Sequence, residues 1–377
     1  MHVSIVINNY NYGRFIGAAI KSALAQSHAN TEVIVVDDGS SDESREVIST
    51  FANITPVLKK NGGQASAFTA GVRASQGDVV LFLDADDTLL PHACEKAVEA
   101  LRHPGAIKTH WPLLEMSSQG TRTGRVLPRH ELAHGDLLAE VIRHGVPPNW
   151  GHGLGHAYRR SFLDRVLPIR DCGDHHGADS YLCVLAPIFG RIERVDEPLG
   201  CYRKHGTNFA GGCKVRYRLQ RDARRYPFFF KWLEHYLNET GIEVDTAQWY
   251  RDGSAYAWTQ NALALQDDLD ALQLGGDAFV LIEDGLLGAD FYPGAVQMVE
   301  KGGQYWGPPK DDDEAIGELE RHREAGASHV AFAAASFWWL SHYGRFNDYL
   351  VGRYRCVCRN DRLVAFDLRR RVGAAAI

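Results

Sequence analysis

The chain has 377 residues, 45% of them hydrophobic and 23% charged, a balance that supports a large core, excludes a disordered chain and favours two units over one or three. Its formal net charge of −6 argues against a general nucleic-acid binder, while a nucleotide stays open because one metal ion screens a diphosphate locally. The start is too short, and too soon broken by Asn8 and Asn9, for a signal peptide, and the longest apolar run, Val330 to Leu340, is about half the ~20 residues of a membrane span.

The first hundred residues alternate two periodicities. Val3 to Ile7 reads as a strand, and Phe15 to Gln26 as a helix with Phe15, Ala19 and Ala23 on one face. Glu32 to Val36 is a second strand that stops at Asp37-Asp38-Gly39-Ser40. Ser41 to Phe51 is a helix that Ser41 or Asp42 can cap. Val57 to Lys59 is a weak third strand, followed by a glycine-opened helix over Gln64 to Ala74. Val79 to Leu83 is wholly apolar and ends at Asp84-Ala85-Asp86-Asp87. This succession predicts an α/β fold, a sheet flanked by helices, with ligands beyond the carboxyl ends of the strands.

From Arg102 to Pro148 the pattern weakens, with one helix near Leu137 to Arg143. Arg191 to Val195 and Leu199 to Arg203 read as late strands of the same domain. Tyr217 to Tyr236 and Ala247 to Leu274 are helical. The expected division is a first domain over 1–212, a helical connector over 213–274 and a small α/β domain over 275–377. In the last, Phe279 to Ile282 and His329 to Ala333 read as strands and Asp313 to Ala325 as a helix. Cys356 to Arg359 pairs with Leu363 to Asp367 across Asn360-Asp361.

Asp84 and Asp86 stand two apart at a strand end, so in extended chain they point to one side. Carboxylates beside a hydrophobic strand are costly unless solvent or a cation meets them, and magnesium or manganese fits such oxygen donors. A solvated acidic turn is the plain alternative. The Asp37-Asp38 loop can accept from a pyrimidine N–H or ribose hydroxyls, or serve as an Asx-type turn. Asn61-Gly62-Gly63-Gln64 lets backbone N–H groups approach a ligand, without the spacing of a P-loop. Seven scattered cysteines suit a reducing, cytoplasmic setting, and Cys356-Val357-Cys358 has no second pair to complete a metal site.

In order and spacing, Asn9-Tyr10-Asn11, Ser22 to Gln26, Val35 to Asp42, Asn61-Gly62-Gly63 and Leu83 to Asp87 resemble family-2 glycosyltransferases of the GT-A fold over about residues 1 to 210. The resemblance implies a Rossmann-like mixed sheet and a nucleotide-sugar donor. It places Asp37 and Asp38 at the base and ribose, and matches Asp84 and Asp86 to the Asp-X-Asp motif that holds ribose and metal–diphosphate. The implied nucleotide-binding set is Asn9, Asp37, Asp38, Asn61, Gln64, Asp84 and Ala85. Asp86 and His205 would hold Mn2+ or Mg2+, His205 lying in a segment similar to the family's Tyr-Arg-x-His. Asp87, Trp150, Gly153, Gly155 and His156 would shape the donor-sugar and acceptor pocket. The Ala178-Asp179 step resembles the family's Glu-Asp step, making Asp179 the base although Ala178 replaces the acidic neighbour.

The implied activity is inverting transfer of a sugar, a UDP-sugar first among UDP, GDP and dTDP donors, to a glycan, lipid-linked or small-molecule hydroxyl. A competing expectation is a nucleotide-sugar-binding scaffold with lost turnover. Residues 275–377 would bind acceptor, cover the site or form a homodimer. Zinc at His152, His156, His175, His176 and His205 lacks a helical pair or cysteine partner. Phe228-Phe229-Phe230, Trp232 and Tyr236 suit packing more than peripheral membrane contact. Phe337-Trp338-Trp339-Leu340 suits either a core or sugar stacking.

Overall fold

The computed structural model describes residues 1–150, 155–169, 177–206, 215–274, 276–285, 287–288, 291–301 and 304–371. Contacts divide the chain into two compact units, Met1–Gly212 with Ala223–Tyr256, and Cys213–Asp222 with Ala257–Ile377. The helical segment expected as a separate connector is shared between them.

The first unit opens with β1 (Val3–Asn9), α1 (Gly13–Leu24), β2 (Thr31–Asp37), α2 (Ser44–Ser49), β3 (Thr55–Leu58), α3 (Gly63–Ala74) and β4 (Val79–Asp84). It continues through β5 (Thr88–Leu89), α4 (Ala93–Leu101), β6 (Ala106–His110), β7 (Leu113–Ser117), β8 (Arg122–Leu127) and α5 (Leu138–His144). β9 (His156–Arg159), α6 (Arg160–Val166), α7 (Ala178–Phe189), β10 (Arg191–Arg194) and β11 (Gly200–Lys204) follow. The main sheet has the order β10-β6-β9-β4-β1-β2-β3. β1 to β4 run parallel, and β9 runs antiparallel to β4 and β6. A second sheet, β5-β11-β7-β8, carries the strand after which His205 comes.

Alternation along β1 and β4 divides the core. Ile5, Ile7, Leu81 and Leu83 join Ile16 and Ile20 of α1 in one buried cluster. Val6, Val80 and Phe82 join Phe68 of α3 and Leu182 of α7 in another, so helices cover both faces of the sheet. Phe68 and Phe82 stack with ring centroids 3.9 Å apart, a contact worth ~0.5–1.5 kcal/mol beyond burial. A Cβ at Gly71 would lie 2.2 Å from a Val6 methyl, so the backbone of α3 rests directly on the Val6 side chain of β1.

The loss of sequence pattern after Arg102 hides three strands. β6 is buried yet carries Lys108, Thr109 and His110, and β8 is mostly exposed. α8 (Val215–Glu239) spans the division between units. Phe229, Phe230 and Tyr236 of α8 are buried with Trp249 in the first unit's core, the packing role expected for that aromatic stretch.

The second unit contains α9 (Ala255–Ala271), β12 (Phe279–Ile282), β13 (Ala295–Val296), β14 (Glu300–Lys301), β15 (Gln304–Tyr305), α10 (Asp312–Glu324) and β16 (His329–Ala333). α11 (Trp338–His342), α12 (Gly344–Arg353), β17 (Tyr354–Arg359) and β18 (Leu363–Arg371) complete it. Its sheet has the order β13-β12-β16-β18-β17, with β17 and β18 forming the expected antiparallel pair. Asp311 caps α10 by accepting from the Glu314 N–H at 2.8 Å, with acids in the first turn and bases in the last. Trp339 is buried there and Trp338 exposed, which divides the two readings of that pair. No helix among the described residues is long and apolar enough to cross a membrane.

Candidate functional site

Parallel pairing on both sides of β1 sets Asn9 opposite Asp37 and Asn8 opposite Asp84. The two acidic turns therefore emerge from the strands on either side of β1, beyond their carboxyl ends, where such folds place ligands. Asn9 Nδ2 donates to Asp37 Oδ1 at 3.0 Å, the Ser40 N–H to Oδ2 at 3.2 Å and Arg45 Nε to Oδ2 at 2.7 Å. Burial pushes the Asp37 carboxyl up, but hydrogen bonds from Ser40, Arg45 and Asn9 outweigh it and hold the group below its usual range.

Asp38 is buried and takes the Gly62 N–H at 3.0 Å, the Gly63 N–H at 2.7 Å and the Lys59 ammonium. The glycine N–H groups expected to face a ligand are thus directed at a carboxylate of the protein. Gly39, at φ 82°, lets this loop approach the next so closely that a Cβ would lie 2.6 Å from the Asn61 nitrogen. Asn61 itself is exposed. Gln64 turns away: its Oε1 accepts from the Gly177 and Ala178 N–H groups at 3.1 and 3.2 Å.

β4 ends at Asp84, and the Asp87 N–H bonds back to the Asp84 carbonyl at 3.1 Å. Asp84 and Asp86 are thus brought together by a turn, not by the extended chain that their spacing suggested. Asn8 Nδ2 donates to Asp84 Oδ1 at 2.9 Å. Burial and the Asp86 charge push Asp84 up to about 7, with Asn8 opposing and Asp179 adding to the rise. Asp87 is held well above its usual range by burial, then by Asp86 and Asp84, with Arg203 opposing. The Arg203 N–H donates to Asp87 Oδ1 at 2.7 Å, and its Nε to the Asp86 carbonyl at 2.7 Å. Asp87 therefore anchors β11 behind the turn and is buried, as is Ala85.

His205 follows β11 and places Nε2 3.0 Å from Asp86 Oδ2. Its ring stacks on Phe15 of α1, centroids 4.8 Å apart, with Tyr12 edge-on. A carboxylate and an imidazole in contact beside crowded acids suit Mn2+ or Mg2+, because a cation would offset the burial and mutual repulsion that raise Asp84 and Asp87. Among the described residues no group of three or more His, Cys, Asp or Glu could hold a metal. The pair would therefore need oxygens from a ligand and water, the usual arrangement for magnesium.

Asp179 occupies the first turn of α7, behind the capping position Gly177. Capping falls to Gln64, so Asp179 is not needed for it. Its charge adds to the rise of Asp84. Arg225 of α8, unmarked by any sequence motif, lies with Nε 3.3 Å from where a Gly177 Cβ would be.

The remaining pocket residues are distributed differently. His156 is 1% exposed and lies inside the sheet, opposite His110 and 3.7 Å from Cys183 Sγ; it is a core residue and not a pocket wall. Gly155 precedes it and accepts from the Trp111 N–H at 3.2 Å. Trp150 is half-buried. Gly153 lies outside the described residues, as do His152, His175 and His176 of the zinc reading.

Under α7 the sheet carries further buried polar groups. Lys108 Nζ lies 3.2 Å from His110 Nδ1, and Tyr158 Oη 3.5 Å from Cys183 Sγ. Burial lowers Lys108, and burial followed by the Lys108 charge lowers His110 to about 2. Cys183 is one turn beyond Asp179 on the same helix face. Polar residues at i and i+2 in β6 were the available signal, concealed by their departure from an apolar strand.

A mixed sheet ordered in this way, with an acidic turn after β4 and a histidine returning to it, defines a GT-A domain. Residues 4–161 of this unit match the family model of glycosyl transferase family 2. The chain is 34% identical over 213 residues to an uncharacterized glycosyltransferase of Nostoc sp., covering 55% of this chain and 66% of that one. Over 100 residues it is 38% identical to an uncharacterized glycosyltransferase of Rickettsia prowazekii, covering 26% and 31%. It thus spans just under two thirds of one relative and about a third of the other. A solved mannosyltransferase from Pyrobaculum calidifontis, in complex with GDP-Man and Mn2+, aligns with a TM-score of 0.46 at 17% identity, covering 72% of this chain and 75% of that one.

Proposed function

We propose that the protein transfers a sugar, with inversion, from a nucleoside-diphosphate sugar to an acceptor hydroxyl. The observation that supports this reading best is the acidic turn after β4 beside Asn9 and Asp37, with His205 Nε2 3.0 Å from Asp86 Oδ2 and the Asp179 charge adding to the rise of Asp84. Asn9 and Asp37 offer the base and ribose side of a donor site. Asp86 and His205 are suited to hold Mn2+ or Mg2+, which would offset charge on the departing diphosphate.

Asp179 takes the proton of the acceptor hydroxyl as its oxygen bonds to the anomeric carbon. The bond from that carbon to the diphosphate oxygen breaks, and the nucleoside diphosphate leaves from the opposite face. Proton removal of this kind contributes ~10²–10⁴-fold. One carboxylate opposite the leaving group is sufficient, so burial of the Ala178 side chain, where the resemblance expects an acid, does not prevent turnover.

The test is a panel of UDP-, GDP- and dTDP-sugars with manganese, UDP-sugars first, read as nucleoside diphosphate release. Asp179→Asn should lower turnover by about 10²-fold or more while nucleotide binding persists. Unchanged turnover in that variant would remove Asp179 from its role. Nucleotide binding without turnover on any acceptor would favour a binding protein.

A further inference from the structure

We propose that Gln64 is a positioning residue: it caps α7 from another helix and so fixes where Asp179 presents its carboxylate. The catalytic half of this proposal rests on Asp179 acting as the base; the capping half does not.

The first N–H groups of a helix have no partner within it and are usually met by Ser, Thr, Asp or Asn at the capping position. α7 has Gly177 there, with no side chain to serve. A Cβ at Gly177 would come within 3.3 to 3.5 Å of the Arg225 guanidinium. Gln64 substitutes from the first turn of α3, its one Oε1 accepting from both Gly177 and Ala178. The next residue is Asp179.

Gln64 also follows the turn that closes on Asp38. The Gly62 and Gly63 N–H groups donate to the Asp38 carboxylate, and the Gln64 side chain carries the connection to α7. Hydrogen bonds, joined by the covalent step from Gly63 to Gln64, thus connect the loop after β2 to the residue before Asp179. A change in the Asp38 loop is passed to the helix that bears the base, and the two sides of the site keep one spacing. Displacement of a reacting group by about 1 Å can cost ~10²-fold in rate, so a cap that sets this spacing acts on turnover.

Two variants separate the roles. Gln64→Leu keeps the bulk and removes the acceptor; Gln64→Glu keeps an acceptor oxygen for both N–H groups. Gln64→Leu should lower kcat about 10- to 100-fold while KM for the donor stays within about twofold. Gln64→Glu should restore most of that loss. Hydrogen exchange of the peptide spanning 177–182 should speed up about fivefold in Gln64→Leu, the scale of a lost cap, and remain near wild type in Gln64→Glu. Unfolding midpoints confirm that both variants fold.

A raised donor KM with unchanged kcat in Gln64→Leu would mean that Gln64 touches the donor, and overturns the proposal. So does unchanged exchange at 177–182. If Asp179→Asn retains turnover, the base reading fails separately, and exchange alone then decides whether Gln64 holds the helix.

Discussion

The two acidic turns on either side of β1 contain similar residues and have opposite electrostatics. After β2, Asp37 and Asp38 are met from within the fold by Arg45, Lys59, Ser40, Asn9 and the Gly62 and Gly63 amides. After β4, Asp84, Asp86 and Asp87 repel one another, Arg203 offsets part of that at Asp87, and His205 touches Asp86. The comparison separates a turn whose charges are already balanced from one that gains by admitting a cation. Acidic residues at a strand end do not by themselves mark a metal site; the company they keep does.

The strongest attempt to break this contrast is Asp86→Asn. Turnover should fall ~10²–10³-fold, and the rise in melting temperature on adding manganese with a nucleoside diphosphate should disappear. Asp38→Asn should act mainly on folding, lowering unfolding free energy in urea by ~1.5–3 kcal/mol, because charge-assisted bonds from Lys59 and two amides are weakened. If Asp38→Asn instead abolished the manganese response and left stability alone, the two turns would have been assigned the wrong way round.

The smallest effect is expected at Arg45, whose side chain is 46% exposed. Arg45→Ala should cost less than ~1 kcal/mol at neutral pH. Its sign with pH is fixed by Asp37. A carboxyl held low in the folded state stabilises above the ordinary carboxylate range, and that stabilisation is lost as pH falls through the depressed folded value. The difference between wild type and Arg45→Ala should therefore narrow in acid, as urea unfolding across pH would record.

Much of the first hundred residues was legible because strand and turn chemistry agree there. Apolar runs stop abruptly at Asp37 and Asp84, and the register across β1 then brings those stops together. The strands after Arg102 were not, since β6 buries Lys108 and His110 against each other and β8 has little apolar character to reveal it. The acidic turn was found from spacing, but its geometry was misjudged: hydrogen bonding from Asp87 back to Asp84 curls it. His156 was assigned to a pocket from its glycine neighbours, although strand pairing with His110 draws it into the sheet. Neither Gln64 capping α7 nor Arg225 beside Gly177 could be anticipated, because each contact joins segments distant in the chain and has no local pattern.

The buried group of Lys108, His110, His156, Tyr158 and Cys183 has an implication for inheritance. Each member supplies a neighbour's polar contact in a place water does not reach, so loss of one takes a hydrogen bond from another buried group. Replacing several together with apolar side chains of matching shape can cost little. Descendants of this chain should therefore keep the set whole or exchange it as a block, and piecemeal drift through it should be rare.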